Sequence, residues 1–359
     1  MRNATAAVMV ALFAGAACAA DFPTSVEGDA VLKDFVFHTK ETMDLRIHYR
    51  TLGKPERDAA GKCVNAVMIV HGTTGSGSQF VGTGSPKHIF AGELFGKGQP
   101  LDAEKFFIVL PDAIGHGKSS KPSDGMHAKF PRYNYYDMIA AQHRLLTEVL
   151  KVDHLRLMTG TSMGGMHTWL WGQEYPDFMD ALLPLASLPT QISGRNRLWR
   201  NMASEAIRTD PEWLDGEYKN QPRGLRMACE MLQLFGSSAV NRYKQAPTGK
   251  QADVLFEREV NATFSRSDAN DLLYQVESSR DYDPGRGLEN IKAPLLAINF
   301  ADDLINPPEL GITEREIKRV KLGRAIMIPA SDATVGHGTH TKAAIWKEHL
   351  ATFLKESAR

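Results

Sequence analysis

Residues 155–170, LRLMTGTSMGGMHTWL, decide how the rest of the chain must be arranged. The stretch begins as a short buried strand, turns at several glycines and continues as a helix. Within the turn, Gly160-Thr161-Ser162-Met163-Gly164 matches the G-x-S-x-G motif, in which a strained corner between strand and helix exposes a serine. A Cβ atom at either glycine would clash with neighbouring backbone. We therefore predict that Ser162 is a nucleophile at the positive end of the helix, the alternative being a buried structural serine.

Continuous apolar runs elsewhere predict strands that are buried on both faces of a parallel sheet. These runs, together with one shorter strand near the carboxyl terminus, cover residues 67–70, 106–110, 181–186, 294–300 and 324–328. Alternating segments at 31–37 and 43–49 predict antiparallel strands at the sheet edge. Helical periodicity is found at 137–150, and a closing helix is expected over 343–354. The sequence therefore predicts an α/β fold with a mostly parallel central sheet flanked by helices.

Between the strands at 181–186 and 294–300 the pattern changes to helical segments and turns, without another buried strand run. We predict that residues 187–290 form a helical cap inserted over the carboxyl ends of the strands, where it shapes the substrate pocket. Residues 21–186 and 291–359 would then form the α/β core.

The amino terminus has the features of a secretory signal peptide. A positive charge at Arg2 precedes an apolar run over residues 6–17, and Ala17-Cys18-Ala19 is an A-x-A cleavage site. We predict that residues 1–20 are removed on export, which makes the protein periplasmic or secreted. A lipoprotein anchor at Cys18 is the alternative. No later stretch approaches the ~20 apolar residues of a membrane helix, so no membrane span is expected.

Composition argues against several other classes of function. Lys plus Arg equals Asp plus Glu at 42 each, so no overall charge would attract nucleic acid. The mature chain keeps only Cys63 and Cys229, which we expect to be unpaired thiols or an incidental bridge. Neither lies in a metal-ligand spacing, and no metal or cofactor is expected.

A serine hydroxyl is a weak nucleophile and needs a base, which a carboxylate must orient. The strand at 294–300 is followed by Asp302 and Asp303, and the loop before the closing helix contains His337 and His340. The carboxyl ends of parallel strands share one sheet edge, where Ser162 is also expected. His337, between two glycines, is preferred because His340 should start the last helix. Either aspartate could be the orienting carboxylate.

Backbone groups near the serine are expected to bind the oxyanion. The loop His71-Gly72-Thr73 follows the strand at 67–70, so the N–H of Thr73 could form half of an oxyanion hole and that of Met163 the other half. We expect His71 to be a structural hydrogen-bonding residue. Asp112, after the strand at 106–110, should hold a turn rather than take part in chemistry.

The chain resembles the homoserine O-acetyltransferase-like group of the α/β-hydrolase superfamily over most of its mature length. The matching segments are residues 137–142, 160–166, 175–177, 206–207 with 210–213, 216–218, 222–225, 302–304 and 336–337. The resemblance implies an α/β-hydrolase fold and an acyl-serine mechanism. It aligns Asp302 with the triad acid of the group and His337 with its triad histidine, and on this ground Asp302 is preferred to Asp303. It also makes a homodimer a candidate assembly.

Three positions depart from that group. Its members hold an amino-acid substrate with an arginine, a tyrosine and an aspartate, and these positions align with Cys229, Gly236 and Gly338. An arginine–carboxylate clamp contributes strong charge-assisted hydrogen bonds, so its loss argues against homoserine as the acceptor. Export argues the same way, because acetyl-CoA is a cytoplasmic metabolite.

The sequence therefore predicts an exported serine hydrolase of the carboxylic-ester hydrolase class, which acts on a small-molecule ester or related acyl compound. Ser162 would be the nucleophile, His337 the base and Asp302 the orienting acid, with Thr73 and Met163 as the oxyanion hole. The first alternative is an acyl-CoA-dependent O-acyltransferase of the homoserine acetyltransferase type. The second is a non-catalytic binding protein on the same fold.

Overall fold

A computed structural model describes residues 22–82 and 90–358 of the chain. The predicted signal peptide at residues 1–20 lies outside these ranges. Within them, no helix is both long enough and apolar enough to cross a membrane.

The strands of the described chain form one twisted sheet of mixed direction. They are β1 Val26–Val36, β2 Thr42–Leu52, β3 Ala66–Val70, β4 Phe107–Pro111, β5 Leu157–Thr161, β6 Leu182–Leu185, β7 Leu295–Phe300 and β8 Gly323–Ile328. Their spatial order is β1-β2-β4-β3-β5-β6-β7-β8. β1 and β2 pair antiparallel, as do β2 and β4, whereas all pairs from β4 to β8 are parallel. The predicted mostly parallel sheet with an antiparallel edge is confirmed.

Helices pack on the sheet and fill the long connection between β6 and β7. They are α1 Ala91–Leu94, α2 Tyr135–Arg144, α3 Met163–Glu174, α4 Gly194–Arg208, α5 Arg223–Phe235, α6 Ala239–Gln245, α7 Gly249–Phe264, α8 Ala269–Glu277, α9 Ile312–Glu316 and α10 Lys347–Glu356. The helices α4 to α8 all lie between β6 and β7, and α4, α5, α7 and α8 share an apolar cluster of their own. We keep residues 187–290 as the proposed bounds of a cap.

Two apolar layers sandwich the sheet because successive side chains of a strand point to opposite faces. In β3, Met68 and Val70 join the layer that holds Trp169 and Trp171 of α3. Val67 and Ile69, between them in sequence, join the layer that contains the residues of α10. All five residues of β3 are buried, as expected of a strand covered on both faces.

Two predicted helices differ from the observed ones in their ends. The helix predicted over 137–150 starts at Tyr135, because Asn134 and Asp137 form a reciprocal capping box, and its last turn is a π turn at Leu145–Val149. The predicted closing helix is split into a short 3₁₀ turn at Ala343–Ile345 and α10.

Cys63 and Cys229 are both buried and unpaired, which is the first of the two arrangements expected from the sequence.

Candidate active site

Ser162 occupies the corner between β5 and α3 in a backbone conformation that non-glycine residues seldom adopt. Its φ is 55° and its ψ is −110°. The Ser162 N–H donates to the carbonyl of Leu185 at 2.9 Å, and the Ser162 carbonyl accepts from the N–H of Met166 at 2.9 Å. These bonds hold the corner in place, so the side chain projects at the start of α3 with its hydroxyl partly exposed.

The glycines on both sides permit very close backbone packing, as the sequence predicts. A Cβ atom at Gly160 would overlap the backbone of Gly164. At Gly164, a Cβ atom would overlap the carbonyl group of Val70 in the neighbouring strand. α3 can therefore lie against β3 only because Gly164 has no side chain.

The structure brings His337 directly to Ser162. His337 Nε2 lies 2.7 Å from Ser162 Oγ, and His337 Nδ1 lies 2.7 Å from Asp303 Oδ2. With the Nδ1–H donating to the carboxylate, Nε2 accepts from the serine hydroxyl. A proton of Ser162 can thus pass to an imidazole whose other side faces a carboxylate.

The carboxyl group of Asp303 is almost completely buried, with 1% of the residue exposed. Burial alone would raise its pKa, but the charge of His337 and hydrogen bonds from His337 and Asn306 lower that pKa below its ordinary value. Asp303 Oδ1 also accepts from the backbone N–H groups of Ile305 and Asn306. These bonds keep the carboxylate ionised beside the imidazole.

The prediction that Asp302 orients the histidine is wrong in this structure. Asp302 Oδ2 accepts from the Thr334 hydroxyl and from the Gly336 N–H, both at 2.9 Å. The chain turns sharply after β7, so the two adjacent aspartates point in different directions. Asp303 points toward the imidazole ring, and Asp302 holds the loop that carries His337.

His340 is buried beside His337 but does not contact the serine. The two rings lie edge to face, with their centroids 5.2 Å apart. Burial lowers the pKa of His340 to about 3, with a further contribution from the charge of His337. His340 lies in a 3₁₀ turn at Gly338–Thr341, and not at the start of the last helix as predicted.

The loop after β3 packs against the nucleophile. A Cβ atom at Gly72 would come within 3.3 Å of Ser162 Cβ. Within the described ranges, neither the Thr73 N–H nor the Met163 N–H donates a hydrogen bond to a protein group. Both donors are thus available for an oxyanion beside Ser162, and their role there stays a prediction.

Two polar residues near this edge have structural contacts of the predicted kind. The His71 Nδ1–H donates to the Gly72 carbonyl, and Nε2 accepts from the Ala113 N–H. Asp112 accepts from the N–H groups of Gly77 and Lys118, which fixes the turn after β4. Neither side chain is directed at Ser162 by these bonds.

A cavity of about 380 Å³ lies beside the hydrogen-bonded chain. Met166, one turn after Ser162, and Asn306 form part of its wall, together with Asn196 of α4. A larger apolar cavity of about 640 Å³ among α5, α6 and α7 is lined by none of the residues that surround Ser162, so volume alone does not locate the site.

Asn306 is the residue at this site that sequence reasoning missed. Its side-chain N–H group donates to the Ala186 carbonyl at 2.8 Å and to Asp303 Oδ2 at 3.1 Å. In the sequence, Asn306 is marked only by its position three residues after an acid that follows a buried strand. Polar residues are common at such positions, so the pattern does not identify Asn306 as a site residue. In the described ranges, no group of three or more histidine, cysteine or acidic side chains is arranged to hold a metal ion.

Comparisons with known proteins agree with this geometry. A sequence profile described as the alpha/beta hydrolase fold matches residues 65–315. The homoserine O-acetyltransferase of Chlorobaculum tepidum is 31% identical over 290 residues, which cover 74% of this chain and 76% of that protein.

Two solved structures share the fold at low sequence identity. The homoserine O-acetyltransferase from Bacillus anthracis superposes with a TM-score of 0.79 at 22% identity, covering 93% of this chain and 98% of that one. An acetylester hydrolase from Corynebacterium glutamicum gives a TM-score of 0.77 at 20% identity, covering 92% of this chain and 96% of that one.

Proposed function

The chain belongs to the alpha/beta hydrolase family, in its homoserine O-acetyltransferase-like group, and we propose that it is an exported serine esterase that cleaves a small-molecule carboxylic ester. The observation that carries this proposal is the continuous chain of hydrogen bonds from Ser162 through His337 to Asp303. Such a chain converts a weakly nucleophilic hydroxyl into an effective one.

The first half-reaction forms an acyl-enzyme. Ser162 Oγ attacks the ester carbonyl carbon while its proton passes to His337 Nε2. Asp303 remains ionised and stabilises the imidazolium through its hydrogen bond from Nδ1–H. The carbon–oxygen bond to the alcohol then breaks, and His337 returns the proton to the departing alkoxide oxygen.

The backbone provides the charge stabilisation. The carbonyl oxygen becomes an oxyanion in the tetrahedral intermediate, and the free N–H groups of Thr73 and Met163 are the donors that we assign to it. The Met163 N–H belongs to the first turn of α3, where the helix dipole also favours negative charge.

Water completes the cycle in the second half-reaction. His337 accepts a proton from a water molecule as its oxygen attacks the acyl carbon, and the bond to Ser162 Oγ breaks to release the carboxylic acid. The serine recovers its proton from the imidazolium, so the enzyme is restored without a cofactor.

Acyl transfer to an alcohol is the second candidate, favoured by the 31% identity to a homoserine O-acetyltransferase. Against it stand the residues at the substrate-holding positions of that group, Cys229, Gly236 and Gly338. Cys229 lies in the apolar core of the cap, where burial raises the pKa of its thiol to about 11. A neutral buried thiol cannot replace a guanidinium as a carboxylate ligand.

Assays of ester hydrolysis and of acetyl transfer to homoserine distinguish the esterase from the acyltransferase. The mature protein is incubated with short p-nitrophenyl esters, and separately with acetyl-CoA with and without homoserine. We expect ester hydrolysis that Ser162→Ala abolishes, and no consumption of acetyl-CoA that depends on the acceptor. Acceptor-dependent consumption would support the transferase, and a protein without either activity would be a binding protein.

Export is tested independently of catalysis. When the full chain is produced with its amino terminus intact, we expect the protein in the periplasm or medium, with a mass that corresponds to loss of about the first 20 residues. A full-length protein retained in the cytoplasm would contradict this part of the proposal.

A further inference from the structure

A buried arginine near the site has no acidic partner. Arg200 of α4 is only 4% exposed. Its Nε–H donates to Asn196 Oδ1 and its Nη1–H to Ser279 Oγ, each at 3.0 Å, while the guanidinium stacks on the Trp199 ring at 4.7 Å. Within residues 22–82 and 90–358, no carboxylate lies within ion-pair distance of Arg200. A buried charge that lacks a counterion is costly, so a compensating anion is expected.

Two acids at the end of α8 and just after it are committed elsewhere. Glu277, at the end of α8, forms ion pairs with Arg132 and Arg208. Asp281 accepts from the Asn134 side chain at 2.7 Å. The positive charge of Arg200 is therefore not balanced by a side chain of the described chain that could reach it.

Two buried hydroxyl groups beside Arg200 have only poorly aligned polar neighbours. Neither Tyr135 OH nor Thr73 Oγ1 forms a hydrogen bond of good geometry with any described residue. Both belong to one cluster, because Tyr135 lies within hydrogen-bonding reach of Arg200, Ser279 and Thr73. Buried hydroxyls whose bonds are so poorly aligned are uncommon, and a ligand that supplies well-placed acceptors would satisfy them.

The acceptors of this cluster are already occupied. Asn196 Oδ1 accepts from both Trp199 Nε1 and Arg200 Nε. Ser279 Oγ accepts from Arg200 and donates to the Val276 carbonyl. The groups left over are N–H donors of Arg200 and two hydroxyls that can donate. A ligand that fits them must supply acceptors and negative charge, as a carboxylate does.

The cluster adjoins the reaction centre. Thr73 directly follows Gly72, whose Cα hydrogens face Ser162. Asn196, which holds Arg200, lines the cavity of about 380 Å³ that Met166 also lines. A group bound by Arg200 would therefore lie between that cavity and the loop that we assign to the oxyanion.

We propose that Arg200, with the hydroxyls of Tyr135 and Thr73, binds a free carboxylate of the substrate, so that the natural ester carries an additional carboxylic acid. The inference rests on the proposed esterase function and names its substrate class. The carboxylate accepts from the guanidinium and the hydroxyls and provides the missing counterion.

Paired substrates of matched shape test this assignment by pH-stat titration. Monomethyl succinate carries the acid on the acyl side, and methyl 4-methylpentanoate is its uncharged counterpart. 3-Acetoxypropanoate and 3-methylbutyl acetate form the same pair on the alcohol side. In the wild-type protein we expect kcat/KM to favour the acid over its neutral counterpart by at least about 10-fold in one of the two pairs.

Substitution of the arginine should remove that preference. Arg200→Met retains length and apolar contact with Trp199, and we expect the acid-to-neutral ratio of kcat/KM to fall by about 30-fold or more. Tyr135→Phe should lower the same ratio by about 5-fold or more, without a change in side-chain shape. Arg197→Met is the matched control, because Arg197 lies on the same helix and donates to the Arg280 carbonyl, and it should leave the ratio unchanged.

Binding to a variant that cannot turn over substrate tests the carboxylate site separately from catalysis. Succinate titrated calorimetrically into Ser162→Ala should bind, and Arg200→Met in the same background should weaken that binding by about 10-fold or more. Absence of any preference in both wild-type pairs, or equal losses for acid and neutral substrates in both variants, would overturn the carboxylate site. If succinate binds through Arg200 but no ester is hydrolysed, the site stands and the esterase function fails.

Discussion

Asp303 is the residue on which the orientation of His337, the proposed catalytic base, depends. Its buried carboxylate accepts from His337 Nδ1–H, which leaves Nε2 free to accept the proton of Ser162. Without that acceptor, the imidazole can adopt the tautomer that presents N–H to the serine, and the serine then has no base.

Replacing the two adjacent aspartates should give very different results. We expect Asp303→Asn to lower kcat/KM for a neutral p-nitrophenyl ester by about 1,000-fold or more, because an amide does not favour the required tautomer. Asp302→Asn should cost no more than about 10-fold, since it weakens only the bonds to Thr334 and Gly336. A greater loss in Asp302→Asn than in Asp303→Asn would restore the assignment made from sequence.

This pair shows where sequence reasoning reached its limit at the level of single residues. The order of serine, acid and histidine, and their places after strands, predicted Ser162 and His337 in the positions where the structure joins them. The choice between Asp302 and Asp303 depended on how the chain turns after β7. The spacing of residues along the sequence does not show which of two adjacent side chains will point toward the histidine.

At the scale of elements, the contact between β3, β5 and α3 determines how Ser162 is presented. Gly164 lies where the first turn of α3 crosses the end of β3, against the Val70 carbonyl group. The motif signalled this contact because only glycine fits there. By contrast, nothing in the sequence predicted the π turn at Leu145–Val149, because its residues continue the apolar pattern of α2.

Adding one methyl group at this contact should destabilise the whole core. For Gly164→Ala we expect the free energy of unfolding in urea to fall by more than about 2 kcal/mol, because rigid backbone cannot move aside for the Cβ atom. Gly249→Ala, in the first turn of α7, is the control, since a Cβ atom there meets open space. Equal stability of both variants would show that α3 does not pack so closely.

At the scale of the whole molecule, several histidines are buried within the core. Burial lowers the pKa of His167 to about 3, with a further contribution from the charge of His71. An unfolded histidine titrates near pH 6.5, so between about pH 6.5 and 3 the unfolded chain binds a proton that the folded chain does not. The stability from neutral His167 is complete above pH 6.5 and is lost as the pH falls through this range.

This difference predicts an acid-sensitive fold. We expect the free energy of unfolding of the wild-type protein to fall with decreasing pH, and His167→Gln to make that slope shallower by about 1.4 kcal/mol per pH unit between about pH 6 and 4. Urea titrations of both proteins at several pH values measure the slopes. Identical slopes would mean that His167 does not remain neutral in the folded protein.

The overall architecture followed from the apolar runs, because buried parallel strands require them. The arrangement of side chains around the pocket could not be predicted from those runs. Tyr135 begins α2 and Arg200 lies in α4, far apart in sequence, and only the packing of these two helices brings both residues to Thr73. The proposed carboxylate site could therefore be inferred only from the three-dimensional structure.

The rate at which a fluorophosphonate labels Ser162 measures whether His337 activates the serine hydroxyl. The probe reacts with a serine only when a neighbouring base activates it. We predict one label per chain on the peptide that contains Ser162, with a labelling rate that falls by about 1,000-fold or more in His337→Ala. A wild-type protein that is not labelled, or a labelling rate that does not change without His337, would show that Ser162 is not activated by His337.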